Sequence, residues 1–215
     1  MKKLREALRK FVCRQEEFLH SGRSSLLIAC CVTAACGGGG GGGGAAPTQF
    51  DALFNEAEEL ASQFELAGFS DPSNIPTSGS AQFEGVVLLQ LSDTTDRIFD
   101  RAACRVNIDV TFDGSTIVGS AQSFVDGNGI GIAGQLDISS GTIDRMGDPN
   151  VEATVGFEMS GQLTDNLIGE VDFALDFDGD FFGDQLDALG GSISGIATAG
   201  STEQLVGGAL ISEKR

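Results

Sequence analysis

The chain contains no tryptophan and no tyrosine, and its single histidine, His20, lies near the N-terminus. Beyond that position the sequence cannot supply Ser-His or Cys-His nucleophilic catalysis, and it cannot build a histidine-based zinc site. Paired carboxylates could in principle hydrolyse glycosides, but no Trp or Tyr is present to form an aromatic platform for a sugar. We therefore expect no enzyme activity, and we assign no catalytic residue, no cofactor and no metal ligand.

Basic side chains are scarce, with 13 Lys and Arg against 31 Asp and Glu and a formal net charge of −18. Seven of the basic residues lie within the first 23 positions. Without residues 1–35, the remaining 180 residues carry six basic and 28 acidic side chains, a net charge of −22. A surface of this charge repels phosphate backbones and anionic headgroups. A nucleic-acid partner and polybasic membrane docking are thereby excluded.

Long hydrophobic runs are also missing. The run from Leu26 to Ala35 has ten residues, too few for the roughly 20 that a membrane-spanning helix needs. It suits the hydrophobic region of a secretory signal. Apolar residues make up 41% of the 215-residue chain and charged residues 20%, so the remainder can form one packed domain of ordinary size or two small ones.

The end of this run resembles the lipobox of bacterial lipoproteins, because the small residues Ala34 and Ala35 directly precede Cys36. In that family the cysteine is diacylated and becomes the first residue of the mature protein. Thr33 stands where leucine is most usual, and residues 27–30 (LIAC) form a competing box that ends at Cys30. The glycine tract 37–44 directly follows Cys36 and favours this cysteine as the lipid-attachment site, because a flexible linker is expected between a lipid anchor and a folded domain. We predict a signal peptide over 1–35 and lipid attachment at Cys36; the alternative is a plain signal peptide with ordinary cysteines.

Residues 36–49 are predicted to be a linker. A glycine-rich coil of 13 residues spans about 20 Å on average. An amphipathic helix follows, with apolar residues at helical spacing: Phe50, Leu53, Phe54, Ala57, Leu60, Ala61 and Phe64. Thr48 and Asp51 form an approximate capping box, and Gly68 is placed to end the helix. Because the outer face is acidic, a membrane-surface role is disfavoured. We predict that residues 50–75 comprise this helix and a connector, and that the helix covers an open mouth of the following domain.

From Ser80 onward the apolar pattern has a period of two, which is typical of strands. It is clearest over 104–112, where Cys104, Val106, Ile108, Val110 and Phe112 alternate with polar residues. Turns are expected at Asp113-Gly114 and at 126–129. Eight strands are predicted over 80–91, 104–112, 115–125, 130–139, 151–160, 167–177, 189–197 and 204–211. One polar face on nearly every strand and short connections favour a mainly β fold, a small eight-stranded antiparallel β-barrel with a filled interior. Cys104 points inward, as a buried and inert thiol.

The last third of the chain resembles the transferrin-binding-protein-like β-barrel domain of bacterial surface lipoproteins. The resemblance depends on residues 179–183 (GDFFG), 189–195 (LGGSISG), Gly207-Gly208 and the terminal Glu213-Lys214. Residues 110–119, 124–126 and 134–139 look similar to the middle strands of the family. Asp184, Ala188 and Ile193 depart from the family pattern. The resemblance covers roughly 76–215, which is the predicted barrel domain, and the motif is structural rather than a ligand site.

An acidic cluster in the same region suggests calcium: Asp172, Asp176, Asp178, Asp180, Asp184 and Asp187. A helix–loop–helix calcium loop needs glycine at its sixth position and glutamate at its twelfth. Counted from Asp176 these positions hold Phe181 and Asp187, so that loop is absent.

The family resemblance implies a lipoprotein that is anchored in the outer membrane, displayed at the cell surface and binds a ligand without enzymatic chemistry; the alternative location is the periplasmic face of that membrane. Relatives capture transferrin, haemoglobin or complement regulators, so the expected partner is a protein or a metal- or haem-bearing ligand. The alternatives are a structural outer-membrane lipoprotein, a small integral outer-membrane β-barrel and a lipocalin-like carrier. Against the integral barrel, the sequence lacks the aromatic girdles and the apolar outer band that such barrels carry.

Overall fold

The structure, a computed structural model, describes residues 47–91, 100–150, 153–165 and 169–215. Helix α1 spans Gln49–Ala67 and is followed by a short 3-10 helix, Pro72–Asn74. The strands are β1 (Ser80–Leu91), β2 (Arg101–Thr111), β3 (Thr116–Asp126), β4 (Gly131–Ile143), β5 (Val155–Asp165), β6 (Gly169–Phe182), β7 (Ala188–Ala199) and β8 (Thr202–Lys214). Within these ranges no helix is both long and apolar enough to cross a membrane.

The eight strands form a closed antiparallel barrel in which each strand pairs with its neighbours in the chain. Closure is made by β1 and β8, whose register runs from Phe83 opposite Lys214 to Leu91 opposite Val206. Closing the sheet leaves no unpaired edge that could recruit another chain. The predicted fold class, an eight-stranded antiparallel barrel preceded by an amphipathic helix, is confirmed.

Alternation along the strands fills the barrel with apolar side chains. In β2, Val106, Ile108 and Val110 are buried while Arg105, Asn107 and Asp109 are exposed. The interior cluster includes seven phenylalanines: Phe83, Phe112, Phe124, Phe157, Phe173, Phe177 and Phe181. The rings of Phe157 and Phe177 stack with centroids 4.4 Å apart. The inward positions predicted from parity are therefore confirmed, including that of Cys104, which is a free and buried thiol.

Some strand boundaries differ from the prediction. The loop expected up to residue 103 ends earlier, since β2 begins at Arg101, and β5 begins at Val155 rather than at 151. Residues 151–152 and 167–168, with which two strands were predicted to begin, lie outside the described residues. At the other end β6 runs on to Phe182, because its alternation continues through the GDFFG motif.

Helix α1 is stabilised at both ends as its sequence suggests. The Thr48 side chain accepts a hydrogen bond from the Asp51 N–H, and the Asp51 carboxylate accepts one from the Thr48 N–H in return. The Thr48 hydroxyl also donates to the Asp51 carboxylate at 2.9 Å. The hydrogen bonds that the carboxylate accepts, that from the Thr48 N–H first and that from the Thr48 hydroxyl second, lower the pKa of Asp51. The carboxylate form is thus favoured in the fold, so this contribution is present above the ordinary Asp pKa and is lost as pH falls through the lowered value. At the C-terminus the Gly68 N–H donates to the Phe64 carbonyl oxygen.

The helix packs on the outer wall of the barrel, and the prediction that it covers a mouth is wrong. We call the contact between the two the helix–wall interface. It lies between α1 and the outer faces of β1, β2, β3 and β8, together with the β6–β7 corner. The helix side consists of Phe50, Leu53, Ala57, Leu60 and Phe64. The barrel side of this interface consists of Val86, Leu88, Ala103, Val125, Phe182, Ala188, Ala209 and Ile211. Strand β1 carries apolar residues on both of its faces. One face points into the barrel, and the other must be covered by a second layer, which is helix α1.

The connector after the helix closes the mouth that the helix leaves open. The Ser70 N–H donates to the Phe181 carbonyl oxygen at 2.9 Å, and the Ser70 hydroxyl donates to the Gly183 carbonyl oxygen at 2.5 Å. Ile75, only 3% exposed, joins the interior cluster, as does Leu186 from the β6–β7 turn. Ile75 of the connector, and not the helix, thus packs against the interior at this end of the barrel.

Candidate functional site

The two ends of the barrel differ in what they present. We call the end at which helix α1 begins the tether end. It contains the β3–β4 turn (127–130) and the β7–β8 turn (200–201). Thr48 packs there against Gly129, and a Cβ atom added to Gly129 would lie 2.9 Å from the Thr48 Cβ. The distal end contains the β2–β3 turn (112–115), the β4–β5 connection (144–154) and the β6–β7 turn (183–187). Helix α1 begins beside Gly129 at the tether end and ends beside Gly183 at the distal end.

Contacts near both ends and along its length hold helix α1 against the barrel between the tether end and the distal end. The Arg101 guanidinium lies 5.3 Å from the centre of the Phe50 ring at the tether end. Arg105 donates to both carboxylate oxygens of Glu56, with one N–O distance of 2.6 Å. This hydrogen bonding is the main cause that raises the pKa of Arg105. At the distal end the Gly183 N–H donates to the Gly68 carbonyl oxygen at 3.0 Å.

Arg145 organises the β4–β5 connection at the distal end. Its half-buried guanidinium donates to the carbonyl oxygens of Pro76 at 2.9 Å and of Phe112 at 2.7 Å, and to the Ser115 hydroxyl at 2.9 Å. One side chain therefore joins the connector, the β2–β3 turn and the β4–β5 connection. The neighbouring Met146 projects into solvent with 96% of its surface exposed. A large apolar side chain is therefore exposed on a loop that the hydrogen bonds of Arg145 hold in place.

Beside this loop is an open recess of about 340 Å³, which we call the distal recess. It is lined by Thr142, Asp144, Ala153, Thr154, Gly156 and Asp178. Ile143 and Val155 also border it, but both are buried and belong to the interior cluster. Its size is at the lower limit of small-ligand pockets. The sequence did not indicate it, because its residues are scattered over three strands and a loop that carries no recognisable motif.

The walls of the distal recess are fixed by backbone and side-chain hydrogen bonds. Thr154 is 3% exposed, and its N–H and hydroxyl both donate to one Asp180 oxygen, at 3.0 and 2.9 Å. The Asp144 N–H donates to the Thr154 carbonyl oxygen at 2.8 Å. Asp144 in turn accepts a hydrogen bond from the Met146 N–H at 2.8 Å. The recess is therefore formed before any ligand arrives.

The motif that carries the family resemblance serves the packing of β6 against β7. Gly179 lies opposite Gly191, and a Cβ atom on Gly191 would lie 2.2 Å from the Asp178 carbonyl oxygen. Consecutive side chains then point to opposite faces, so Phe181 enters the interior and Phe182 enters the helix–wall interface. Phe181 is buried by the interior cluster, and Phe182 is buried because the helix and Phe69 cover the outside of the barrel here, which agrees with a structural motif.

The acidic cluster follows the outer face of β6 and continues into the β6–β7 turn. Asp172, Asp176 and Asp178 are exposed on this face, and Asp180 on the same face accepts hydrogen bonds from Thr154. Asp184 and Asp187 lie in the turn. Across β5, Glu158 lies directly opposite Asp176. Among the residues that the structure describes, no group of three or more His, Cys, Asp or Glu side chains is arranged to hold a metal ion.

Of the three cysteines singled out in the sequence, only Cys104 lies among the described residues. Cys36, the predicted lipid-attachment residue, lies outside the described residues together with the competing Cys30. Cys104 lies in the barrel interior, where burial raises the pKa of its thiol well above the ordinary value. The thiol therefore stays protonated and unreactive.

The fold is thus an up-and-down β-barrel with a helix on its outer wall. Comparison with solved structures finds a double mutant of the vaccine antigen Transferrin Binding Protein B from Haemophilus parasuis Hp5, at 20% identity and a TM-score of 0.43, over 68% of this chain and 28% of that chain. A single mutant of the same antigen matches at 20% identity and a TM-score of 0.43, over 68% and 29%. The intact Ap-TbpB protein, with its N and C lobes, matches at 19% identity and a TM-score of 0.41, over 68% and 28%.

This chain spans less than a third of the length of each of these proteins. The resemblance noted in the sequence is therefore found again in solved structures, as a likeness of fold alone. No protein-family model matches the chain. A search of curated proteins finds no match either.

Proposed function

We propose that the chain is a bacterial outer-membrane lipoprotein, anchored by lipid at Cys36 and displayed at the cell surface, that binds a protein ligand at its distal end without enzymatic chemistry. The observation that supports this most is that the start of helix α1 and the distal recess lie at opposite ends of the barrel. The helix begins beside Gly129, whereas the loop that carries Arg145 and Met146 lies at the other end. The predicted linker, with an average span of about 20 Å, would keep the tether end towards the membrane and leave the distal end accessible.

The distribution of side chains argues against the alternatives. A membrane-embedded barrel carries an apolar outer band, and many have a polar interior. Here the interior is apolar, and the outer faces of the strands carry exposed Asp109, Glu158, Asp172 and Asp176. A lipocalin-like carrier needs interior space, but stacked rings such as Phe157 and Phe177 occupy the barrel. A ligand, including a metal- or haem-bearing one, would therefore sit outside the barrel.

The anchor is tested by replacing Cys36. We expect Cys36→Ser to abolish incorporation of labelled palmitate and to release the protein from the membrane fraction without detergent, because the acylated thiol is lost. Cys30→Ser is the matched control and should leave labelling unchanged. If only Cys30→Ser lost the label, the lipid would be attached at Cys30, in the competing box. If neither the wild type nor the variants were labelled, the alternative of a plain signal peptide would be correct.

Ligand binding is tested with the full chain held on phosphatidylcholine vesicles by its own N-terminal segment and incubated with host fluid. We expect a captured protein that is lost when residues 146–149 are replaced by Gly-Ser repeats, because this tip carries the exposed side chains of Met146 and Asp148 at the distal end. The control, Leu205→Ser, changes an apolar residue that is 67% exposed on β8 near the tether end. Equal capture by both variants would refute a distal binding surface, and no capture by any form would favour the structural alternative.

A further inference from the structure

The β3–β4 turn at the tether end contains an asparagine that is exposed and directly followed by glycine, Asn128-Gly129. An asparagine side chain can react with the backbone nitrogen of the next residue. Glycine favours this reaction, because it has no side chain to block the approach and adopts the widest range of backbone angles. Every other asparagine in the sequence, including the exposed Asn107, is followed by a residue with a side chain. Asn128 is therefore the asparagine of this chain that is most open to the reaction.

Asp126 holds the same turn closed. Its carboxylate accepts hydrogen bonds from the Asn128 N–H at 2.9 Å, from the Ile130 N–H at 2.7 Å and from the Asn128 side-chain amide at 3.2 Å. Its carbonyl oxygen accepts a hydrogen bond from the Gly129 N–H at 2.9 Å. The nitrogen that would attack is therefore engaged in the closed turn, and the reaction requires a local opening.

The turn also supports the start of helix α1. Gly129, with a positive φ of 81°, lies so close to the N-cap residue Thr48 that an added Cβ atom would be 2.9 Å from the Thr48 Cβ. The Gly127 N–H donates to the Arg101 carbonyl oxygen at 3.0 Å, and the Arg101 guanidinium lies over the Phe50 ring of the helix. A change in the backbone of this turn would therefore disturb the contacts at the beginning of the helix.

We propose that Asn128-Gly129 is a site of spontaneous deamidation, and that deamidation loosens the start of helix α1. The reaction needs only water and hydroxide. In the open turn the Gly129 nitrogen gives its proton to hydroxide and attacks the Asn128 Cγ. A bond from this nitrogen to Cγ forms, the bond from Cγ to Nδ2 breaks, and Nδ2 takes a proton from water and leaves as ammonia.

Water then opens the five-membered imide ring that this step has formed. Attack at Cγ gives aspartate, whereas attack at the backbone carbonyl carbon gives isoaspartate, in which the main chain runs through Cβ and Cγ. Neither product can restore the original turn. Aspartate places a second carboxylate where the Asn128 amide donates to Asp126, so two like charges face each other. Isoaspartate adds an atom to the main chain and displaces the Gly129 N–H from the Asp126 carbonyl oxygen.

The first test follows deamidation in the full chain, folded in nonionic detergent and incubated at mildly alkaline pH. Tryptic peptide 106–145 contains Asn107 and Asn128 and no other asparagine, so mass spectrometry with fragmentation compares the two residues in one molecule. We expect conversion at Asn128 and none at Asn107, because Ile108 blocks the attack there. Conversion should slow as the pH is lowered, since the attacking nitrogen must lose its proton. An isoaspartyl methyltransferase should label the product.

The second test measures backbone hydrogen exchange in Asn128→Asp, which carries the charge of the product. The amides of residues 128 and 130 should exchange about tenfold faster, because a hydrogen bond to a charged group is lost and a like charge is gained. The Ala52 N–H, which donates to the Thr48 carbonyl oxygen at 3.1 Å, should also exchange faster. The matched control, Asn107→Asp, adds the same charge on the outer face of β2 and should change these rates less than about twofold.

Three results would overturn the inference. Equal conversion at Asn107 and Asn128 would show that the turn has no special reactivity. An intact Asn128 in the folded chain, after an incubation that converts it in urea, would show that the turn never opens to the reactive form. Unchanged exchange at Ala52 in Asn128→Asp would refute the effect on the helix, with unchanged amides in β5, β6 and β7 verifying the fold. None of these measurements uses a ligand, so their outcome is independent of the proposed binding function.

Discussion

Replacing Phe177 by Ala should lower the free energy of unfolding by about 3–5 kcal/mol, the range for a large aromatic residue removed from a core. The Phe177 ring is 1% exposed and stacks on Phe157 with centroids 4.4 Å apart, so the change leaves a cavity and removes a ring contact. Because Gly179 also packs against this ring, neighbouring backbone limits how far the barrel can collapse into the space. Urea denaturation followed by circular dichroism measures the loss.

The control uses two consecutive residues of β2 that point to opposite faces. Ile108→Ala should cost about 2–5 kcal/mol, whereas Asp109→Ala, on the exposed face, should cost under about 0.5 kcal/mol. If both variants unfolded at the same urea concentration, the inward and outward faces would be exchanged. A slip of one residue has that effect because the side-chain period of a strand is two.

The barrel could be predicted from the sequence because its signal is local. In β2 the alternation of apolar and polar residues fixes both the strand and the face that is buried, and Asp126 marks the next turn by accepting hydrogen bonds from the N–H groups of Asn128 and Ile130. The helix was equally clear, since Thr48 and Asp51 form its cap. Each of these features depends on residues fewer than five positions apart.

The position of the helix was not predictable in the same way, because it depends on pairing between distant segments. Val86 and Leu88 show an outward apolar face, but only the barrel register reveals that Ala209 and Ile211 continue that face on β8. Ile75 stands in a polar, proline-containing connector, where its pattern indicates a loop rather than a core residue.

The candidate site was missed for a related reason. Arg145 is an isolated basic residue in an acidic stretch, and its role depends on carbonyl oxygens of Pro76 and Phe112 that lie 69 and 33 positions away. Asp144 and Asp178 come together only because β4 and β6 flank β5. A functional surface made of backbone acceptors and single side chains leaves no motif in the sequence.

Introducing a charge beneath the helix should have the second large effect. Ala57 is fully buried in the helix–wall interface, which is lined by apolar side chains. We expect Ala57→Asp to destabilise the protein by about 3–5 kcal/mol, since a carboxylate without a partner would be buried there. Thermal unfolding and binding of a dye that reports exposed apolar surface should both detect the change. Asn55→Asp, which adds the same charge on the exposed face of the same helix, is the matched control and should change stability by less than about 0.5 kcal/mol.

Deletion of residues 48–67 separates a structural helix from one that waits for a partner. If the helix is part of the domain, the deletion should lower the melting temperature and raise dye binding, because Val86, Leu88 and Ile211 lose their cover. The barrel interior should remain closed at the distal end, since Ile75 of the connector packs against the interior cluster there and the helix does not. Unaltered stability and dye binding would contradict the packing on the wall. Such a result would make Leu60 and Phe64 candidates for contact with another protein, and it would move the search for a binding surface from the distal end to the side of the barrel.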